Sequence, residues 1–387
     1  MQLSIATETA ATPSPYSPIH YTRKMALENC SAVDLFCGVG GLTYGLINSG
    51  IKVVAGIDVD PKCHYPFEAN NDSTFIEKSI TEVSGNELAA LYPAGHTKVL
   101  VGCAPCQDFS KMSRAKRAAD SDKWALLREF SRLTTELRPD VISMENVPEI
   151  ASHVVYEEFL KTLHKLGYQT FASIIHCPAY GVPQKRDRFV LFASLLGPIR
   201  ITSPFCLPNE YPAAKTVLNG LEELKAGGTS STDRLHRSSK LSDLNLKRIR
   251  ASKPGGTWRD WPKELRCLCH QKATGETYPS VYGRMESDRP APTMTTQYFG
   301  YGNGRFGHPS QDRAISLREG ALLQSFPENY QFLKPEEPVA FSTVGRLVGN
   351  AVPPRLGLAV GETIRDHIEN WRIHKALPAK SITSEGQ

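Results

Sequence analysis

The sequence lacks any long apolar run, and it lacks the apolar segment of a secretory signal. In its 387 residues no hydrophobic stretch approaches the roughly 18–20 residues that a membrane span requires, so we expect no membrane association. The first 27 residues are rich in Ser, Thr and Pro instead. We therefore expect residues 1–27 to form a disordered lead-in and the protein to be cytoplasmic.

A disulfide framework is also missing. The nine cysteines are an odd number at no framework spacing, and 40% hydrophobic residues in a chain of this length supply an ample core without covalent cross-links. We therefore expect a reducing compartment, where the thiols stay free for chemistry. No internal repeat is visible either.

Short apolar runs alternate with helix-like stretches between residues 32 and 193. Helical spacing occurs in Trp124–Leu137 and Tyr156–Leu166. The candidate strands are Ala32–Phe36, Val53–Ile57, Val99–Val101, Val141–Met144, Phe171–Ile175 and Phe189–Ala193. This alternation predicts an α/β fold, with a Rossmann-like, mostly parallel and doubly wound sheet that is covered by helices on both faces.

The alternation stops near Gly197 and gives way to a stretch rich in Pro, Gly, Ser and charge. A helical pattern returns near Ser342 and continues to Trp371. We therefore predict two domains and a flexible tail. The cofactor-binding and catalytic domain comprises residues 28–199 plus 338–375, a smaller irregular domain comprises 200–337, and the tail comprises 376–387.

Positive charge is concentrated in one block of the irregular region. The chain has a net charge of +5, but Arg234–Lys272 alone carries 11 Lys and Arg residues against three acidic residues. Trp258 and Trp261 interrupt this block, as is typical of a loop-rich surface that binds a polyanion. A solvated charged face would look similar. We select Arg248 and Arg250 as candidate phosphate contacts.

The first predicted strand runs directly into a glycine-rich turn. In a doubly wound sheet a nucleotide-like ligand lies at the carboxyl end of this strand, where glycines let the backbone approach it. An acid that ends the second strand, about 20 residues on, can bind both ribose hydroxyls. A tight turn alone would also explain the glycines, but the acid favours a nucleoside-bearing cofactor. The candidate contacts are Asp34, Phe36, Gly38, Gly40, Gly41 and Asp58.

Nucleophilic and acidic side chains follow the next strands. Cys106 lies just beyond Val99–Val101 and is a candidate nucleophile, although a single cysteine is more often a small buried hydrophobe. Cys103 and Cys106 also form a C-x-x-C pair, whose redox interpretation lacks thioredoxin-like surroundings. Glu145 ends the following strand and would reach the same cleft. Two further cations, Arg186 and Arg188, fall on one face by alternation and suit a phosphate or a carbonyl oxygen.

Read in order, these segments resemble the DNA (cytosine-5) methyltransferases, and in particular the prokaryotic restriction-modification type. The matching motifs are Asp34–Gly41, Pro105-Cys106-Gln107, Glu145-Asn146-Val147, Gln184–Arg188, Arg318-Glu319 with Leu323–Pro327, and Gly349-Asn350-Ala351-Val352-Pro353. They span residues 31 to about 365, and the irregular region lies where the family has its target-recognition domain. Where the family often has Asp-Ile near the adenine, this chain has Ser79-Ile80.

The resemblance implies a mechanism. S-adenosylmethionine would be the methyl donor, bound with the help of Pro105 and Asn350. Cys106 would add to carbon 6 of a flipped-out cytosine, and Glu145 would bind the ring nitrogen and the exocyclic amine. Arg188 would contact the base carbonyl and Arg186 would support the site. By the same resemblance, Gln107 and Ser110 would contact DNA.

The implied partners are double-stranded DNA and, genetically, a cognate restriction endonuclease; we expect a monomer near the nucleoid. Cys267-Leu268-Cys269-His270 offers metal ligands, but no fourth ligand lies at a recognisable spacing, so we expect no metal. A tRNA methyltransferase of the same family is an alternative, although Thr295–Gly300 lacks the Cys-Phe-Thr tripeptide of those members. A nicotinamide-dependent oxidoreductase would leave Cys106 and Glu145 unexplained, and the glycines do not fit G-x-G-x-x-G.

Overall fold

A seven-stranded sheet forms the centre of the structure, a computed structural model that describes residues 21–104, 125–272 and 278–376. The strands are β1 (Cys30–Leu35), β2 (Lys52–Asp58), β3 (Thr74–Glu77), β4 (Thr97–Gly102), β5 (Val141–Asn146), β6 (Gln169–His176) and β7 (Asp187–Ser194). The strand order is β3-β2-β1-β4-β5-β7-β6. Strands β1 to β5 are parallel, and β7 runs antiparallel between β5 and β6. The predicted doubly wound α/β fold is confirmed.

All six predicted strands correspond to observed ones within a few residues, but β3 was not predicted. This strand has four residues, of which only Phe75 is buried, and it lies at the edge of the sheet. A short edge strand needs few apolar residues, so it leaves no periodic pattern to detect.

Helices cover both faces of the sheet. Alternate residues of each central strand point to opposite faces, so Ala32 packs in one core with Leu46 and Leu356, while Val33 packs in another with Leu133 and Phe159. These central strands are buried on both sides, which explains why they read as continuous apolar runs. The flanking helices are α1 (Gly41–Asn48), α2 (His64–Asn70), α3 (Gly85–Leu91), α4 (Ala125–Leu137), α5 (Val154–Lys165), α9 (Phe341–Asn350) and α10 (Pro354–Ala376).

Helix α10 joins the sheet region although it follows β7 by well over a hundred residues. It packs closely on α1, where a Cβ atom on Gly45 would lie 2.3 Å from the backbone of Gly357. Glycine at this crossing therefore allows the two helix backbones to touch. None of the helices in the described ranges combines the length and the apolar character needed to cross a bilayer.

The region between β7 and α9 contains short helices and loops. In its described part we find α6 (Lys215–Leu218), α7 (Asp243–Ala251) and α8 (Leu317–Leu323), with isolated β-bridges in place of strands. The buried pair of Arg313 and Glu319 stabilises it through two hydrogen bonds of 2.7 Å. Glu319 also completes a capping box with Ser316 at the start of α8. The exact domain boundaries stay a prediction.

Candidate active site

A cleft opens at the carboxyl ends of β1, β2, β4 and β5. At this point the connection after β1 leads to one side of the sheet and the connection after β4 leads to the other. This is the position at which open α/β sheets bind their ligands. Its volume is about 410 Å³, within the range of roughly 300–1,000 Å³ that is common for small-molecule sites. Of the predicted site residues, those lining it are Asp34, Phe36, Gly38, Asp58, Glu145, Arg186, Arg188 and Asn350.

The glycine-rich turn after β1 lines one end of the cleft. Phe36 and Gly38 have positive φ angles of 59° and 52°, and nothing lies within 4 Å of the position that a Cβ of Gly38 would occupy. Gly40 and Gly41 have a different role. A Cβ atom on Gly40 would lie 2.4 Å from the side-chain amide of Asn71, and a Cβ atom on Gly41 would lie 2.2 Å from a backbone oxygen. The structure therefore places Gly38 beside the cleft, whereas the next two glycines permit close packing behind it.

Two carboxyl groups face this turn. Asp58 accepts hydrogen bonds from the backbone N–H groups of Gly38 and Asp60, both at 2.9 Å. Asp34 accepts one from the Thr43 hydroxyl at 2.7 Å, but its Oδ1 atom is buried without a hydrogen-bond partner in the described part of the chain. Burial raises the pKa of Asp34 to about 7 and also raises the pKa of Asp58. This end of the cleft therefore offers two acceptors to a hydroxyl- and amine-bearing ligand.

At the end of β5, Glu145 is 3% exposed and is held on both carboxylate oxygens. Arg188 Nε lies 2.8 Å from Oε1, and the Cys103 thiol donates to Oε2 at 2.6 Å. The neighbouring Asn146 donates to the Ala104 carbonyl at 3.1 Å, which joins the ends of β4 and β5. The carboxyl group is thus fixed in the cleft between a cation and a thiol.

The two predicted arginines lie in the same cleft but have different surroundings. Arg186 is 4% exposed and donates to the Met294 carbonyl at 3.2 Å, while its Nε has no partner among the described residues. Burial, and then the neighbouring Arg188, lower the pKa of Arg186 to about 9. Arg188 forms an ion pair with Glu145. The predicted contact of this pair of arginines with a phosphate or a carbonyl oxygen stays a prediction.

Four predicted residues, Pro105, Cys106, Gln107 and Ser110, lie outside the described residues. The described chain reaches Ala104, which lines the cleft next to Glu145.

Sequence reasoning missed one cation of the cleft. Arg346 of α9 lines it and forms an ion pair with Asp60, two residues beyond the end of β2. Its position four residues before Asn350 on the same helix was the available signal, because residues at this spacing share a helix face. Ser79 does not line the cleft, and its hydroxyl contacts that of Thr81 at 2.8 Å.

Comparison with known proteins identifies the family. The family model for C-5 cytosine-specific DNA methylases matches residues 30–366. The chain belongs to this family. The type II methylase M.HgiDII of Herpetosiphon aurantiacus is 55% identical over 342 residues, which cover 88% of this chain and 96% of that protein. The type II methyltransferase M1.HphI of Haemophilus parahaemolyticus is 29% identical over 337 residues, 86% of each chain.

The fold agrees with this assignment. A crystal structure of a DNA modification methyltransferase encoded within an E. coli prophage matches with a TM-score of 0.66, covering 88% of this chain and 99% of the other at 20% identity. The predicted enzyme class, DNA (cytosine-5) methyltransferase, is confirmed. The oxidoreductase alternative is therefore excluded.

The positive block of this methyltransferase presents only some of its side chains to solvent. The Arg250 side chain is 65% exposed and pairs loosely with Asp312 at 3.2 Å. Arg248 is half-buried, donates to the Leu265 carbonyl at 2.8 Å and lies over the Trp261 ring at 5.8 Å. Trp258 and Trp261 are 4% and 2% exposed, so both pack inside instead of forming the expected binding surface.

Proposed function

We propose that this methyltransferase transfers a methyl group from S-adenosylmethionine to carbon 5 of a cytosine flipped out of duplex DNA, through a covalent adduct with Cys106. The observation that carries the proposal is the buried Glu145, fixed at the end of β5 beside the end of β4. Cys106 follows Ala104 by two residues, which together span at most about 7 Å. A thiol and a carboxyl group can therefore act on the same base.

The chemistry of the turn after β1 fits the cofactor. The buried, unpaired Oδ1 of Asp34 would accept a hydrogen bond from the amino group of the methionine part, and Asp58 would accept those of the ribose hydroxyls. Phe36 would lie against the adenosine, with Pro105 and Asn350 completing the site. When bound, S-adenosylmethionine supplies an electrophilic methyl group.

The protein residues would do the remaining work. The Cys106 thiolate adds to carbon 6 of the cytosine, so that the electron pair of the ring double bond becomes available at carbon 5. Glu145 binds the ring nitrogen and the exocyclic amine and carries the proton that neutralises the ring during attack. After methyl transfer, a base removes the proton from carbon 5, and the electron pair of that C–H bond re-forms the double bond and expels the thiolate.

Arg188 would hold Glu145 in place and contact the base carbonyl, while Arg186 would support this wall of the cleft. The target base must leave the helix stack to reach a site at this depth. Gln107, Ser110, Arg248 and Arg250 stay our candidate DNA contacts.

A trapping experiment tests the adduct. The covalent adduct breaks only after a base removes a proton from carbon 5, and a fluorine atom in place of that hydrogen blocks this step. The protein, S-adenosylmethionine and duplex DNA containing 5-fluorocytosine should therefore give a complex that survives denaturing gels. Cys106→Ser should abolish it, because a hydroxyl is a far weaker nucleophile than a thiolate. Cys103→Ser should retain it, because serine can still donate to Glu145.

Two outcomes would contradict the proposal. Loss of the complex in Cys103→Ser but not in Cys106→Ser would show that Cys103, and not Cys106, is the nucleophile. Trapping of tRNA in place of duplex DNA would favour the RNA alternative.

We also propose that the enzyme is of type II and protects DNA from a cognate restriction nuclease, as the names of its relatives suggest. We expect it to act as a monomer in the cytoplasm, near the nucleoid. Bisulfite sequencing of DNA from a host that expresses the chain should show one methylated sequence context. Methylation of cytosines in every sequence context, or no methylation at all, would argue against a site-specific enzyme.

A further inference from the structure

Three metal-ligating side chains meet in the positive block, away from the catalytic cleft. The thiols of Cys267 and Cys269 and a ring nitrogen of His270 all lie within 4.8 Å of one another. A 3-10 turn over Leu268–Gln271 brings them together. We propose that these three side chains bind one Zn²⁺ ion, with a water molecule as the fourth ligand.

The imidazole provides the independent observation. His270 is 5% exposed, yet its Nδ1 atom is buried without a hydrogen-bond partner in the described ranges. Leaving such a group unsatisfied costs about 1–3 kcal/mol, so a native protein normally provides a partner. A cation bound through Nδ1 would be that partner.

Aromatic packing fixes the ring for this role. His270 stacks on Trp258, with the ring centres 4.3 Å apart and the planes 17° from parallel. The Tyr282 ring meets it edge-on at 6.0 Å. The imidazole is therefore held in one orientation beside the two thiols, which reduces the entropy that is lost when a metal binds.

The ligand set selects the metal. Thiolate and imidazole ligands prefer zinc over magnesium or calcium, and two thiolates neutralise a divalent cation. In a tetrahedral zinc site, ligand atoms lie about 3.5–3.8 Å apart. Cys269 is exposed and Cys267 is half-buried, so rotation of their side chains can shorten the present distances.

Metal binding would stabilise part of the region that we propose contacts DNA. An ion at this place would fix the 267–270 turn against Trp258, in the same positive block as helix α7, which carries Arg250. A three-residue ligand set leaves one coordination position to solvent, unlike the four-ligand sites of zinc fingers.

The test uses the full chain, stripped with a chelator under reducing conditions and titrated with Co²⁺ as a spectroscopic probe. We expect one Co²⁺ per chain, with thiolate charge-transfer bands and the visible bands of tetrahedral coordination. Zn²⁺ should displace it and raise the thermal midpoint. The double variant Cys267→Ser/Cys269→Ser should lose the bands, and His270→Gln should weaken binding about 10-fold or more.

Two matched controls test whether two other thiols bind the cobalt ion. Cys206→Ser changes another half-buried free cysteine, and Cys106→Ser removes the proposed nucleophile; both should keep the cobalt spectrum. Bands that survive in the Cys267→Ser/Cys269→Ser variant would overturn the proposal, as would a wild-type protein without thiolate bands. A Cys267–Cys269 disulfide that persists under reducing conditions would also overturn it.

Discussion

Asp58 offers the sharpest test of where the cofactor binds. Its carboxylate accepts the backbone N–H groups of Gly38 and Asp60, and each carboxylate oxygen can accept more than one hydrogen bond. Asp58 lines the cleft, where its two oxygens can accept from the two hydroxyls of a ribose. Asp58→Ala removes both acceptors and also releases the N–H groups of Gly38 and Asp60.

The expected loss follows from these contacts. Hydrogen bonds to a charged group contribute about 1.5–3 kcal/mol each, but water competes for an open cleft, so we expect a total of about 1–3 kcal/mol. The dissociation constant of S-adenosylmethionine should therefore rise about 5- to 150-fold. Asp58→Asn should lose less, because one accepting oxygen remains. Burial raises the pKa of Asp58, so affinity should fall as the pH is lowered and the carboxylate becomes protonated.

Isothermal titration calorimetry measures this loss directly. The control is Glu77→Gln, which removes an exposed carboxylate paired in register with Asp58 on the adjacent strand β3. Its affinity should equal that of the wild type. Unchanged affinity in Asp58→Ala would place the ribose elsewhere, and an equal loss in Glu77→Gln would indicate only a general charge effect.

The remaining predictions concern DNA binding and stability. The affinity for duplex DNA should fall steeply as the salt concentration rises. The double variant Arg250→Glu/Lys247→Glu should also reduce DNA affinity, because both side chains are exposed, and it should leave S-adenosylmethionine affinity unchanged in calorimetry. Unchanged DNA affinity in this variant would exclude the surface that carries Lys247 and Arg250 as a DNA contact. Glu319→Gln should destabilise the protein by about 3–5 kcal/mol in urea titrations, because Arg313 becomes a buried unpaired charge, and a smaller loss in Arg313→Met/Glu319→Leu would confirm that cause. His308 Nδ1 accepts two hydrogen bonds from backbone N–H groups, and burial lowers the pKa of His308 to about 4. Protonation of Nδ1 at low pH would break both of these hydrogen bonds. Relative to His308→Gln, wild-type stability should therefore be complete above about pH 6.5 and fall by about 3 kcal/mol towards pH 4; parallel pH profiles would refute this.

Much of the site could be predicted from sequence because its residues end predictable strands. Periodicity and burial are local properties, so the apolar runs located β1, β2, β4 and β5. A residue near the end of such a run, or just after it, must lie at the carboxyl edge of the sheet, which places Asp34, Asp58 and Glu145 in one cleft before any coordinates are known. Motif order then identified the family.

Contacts between distant segments were decided only by the tertiary structure. The two partners that hold Glu145, Cys103 and Arg188, lie more than 40 residues away on either side of it, and no local pattern encodes such pairs. The inward packing of Trp258 and Trp261 likewise depends on neighbours that the sequence of a loop does not specify. Periodic elements show which face of a strand or helix is buried, whereas an irregular region acquires its interior only when the folded chain closes around it.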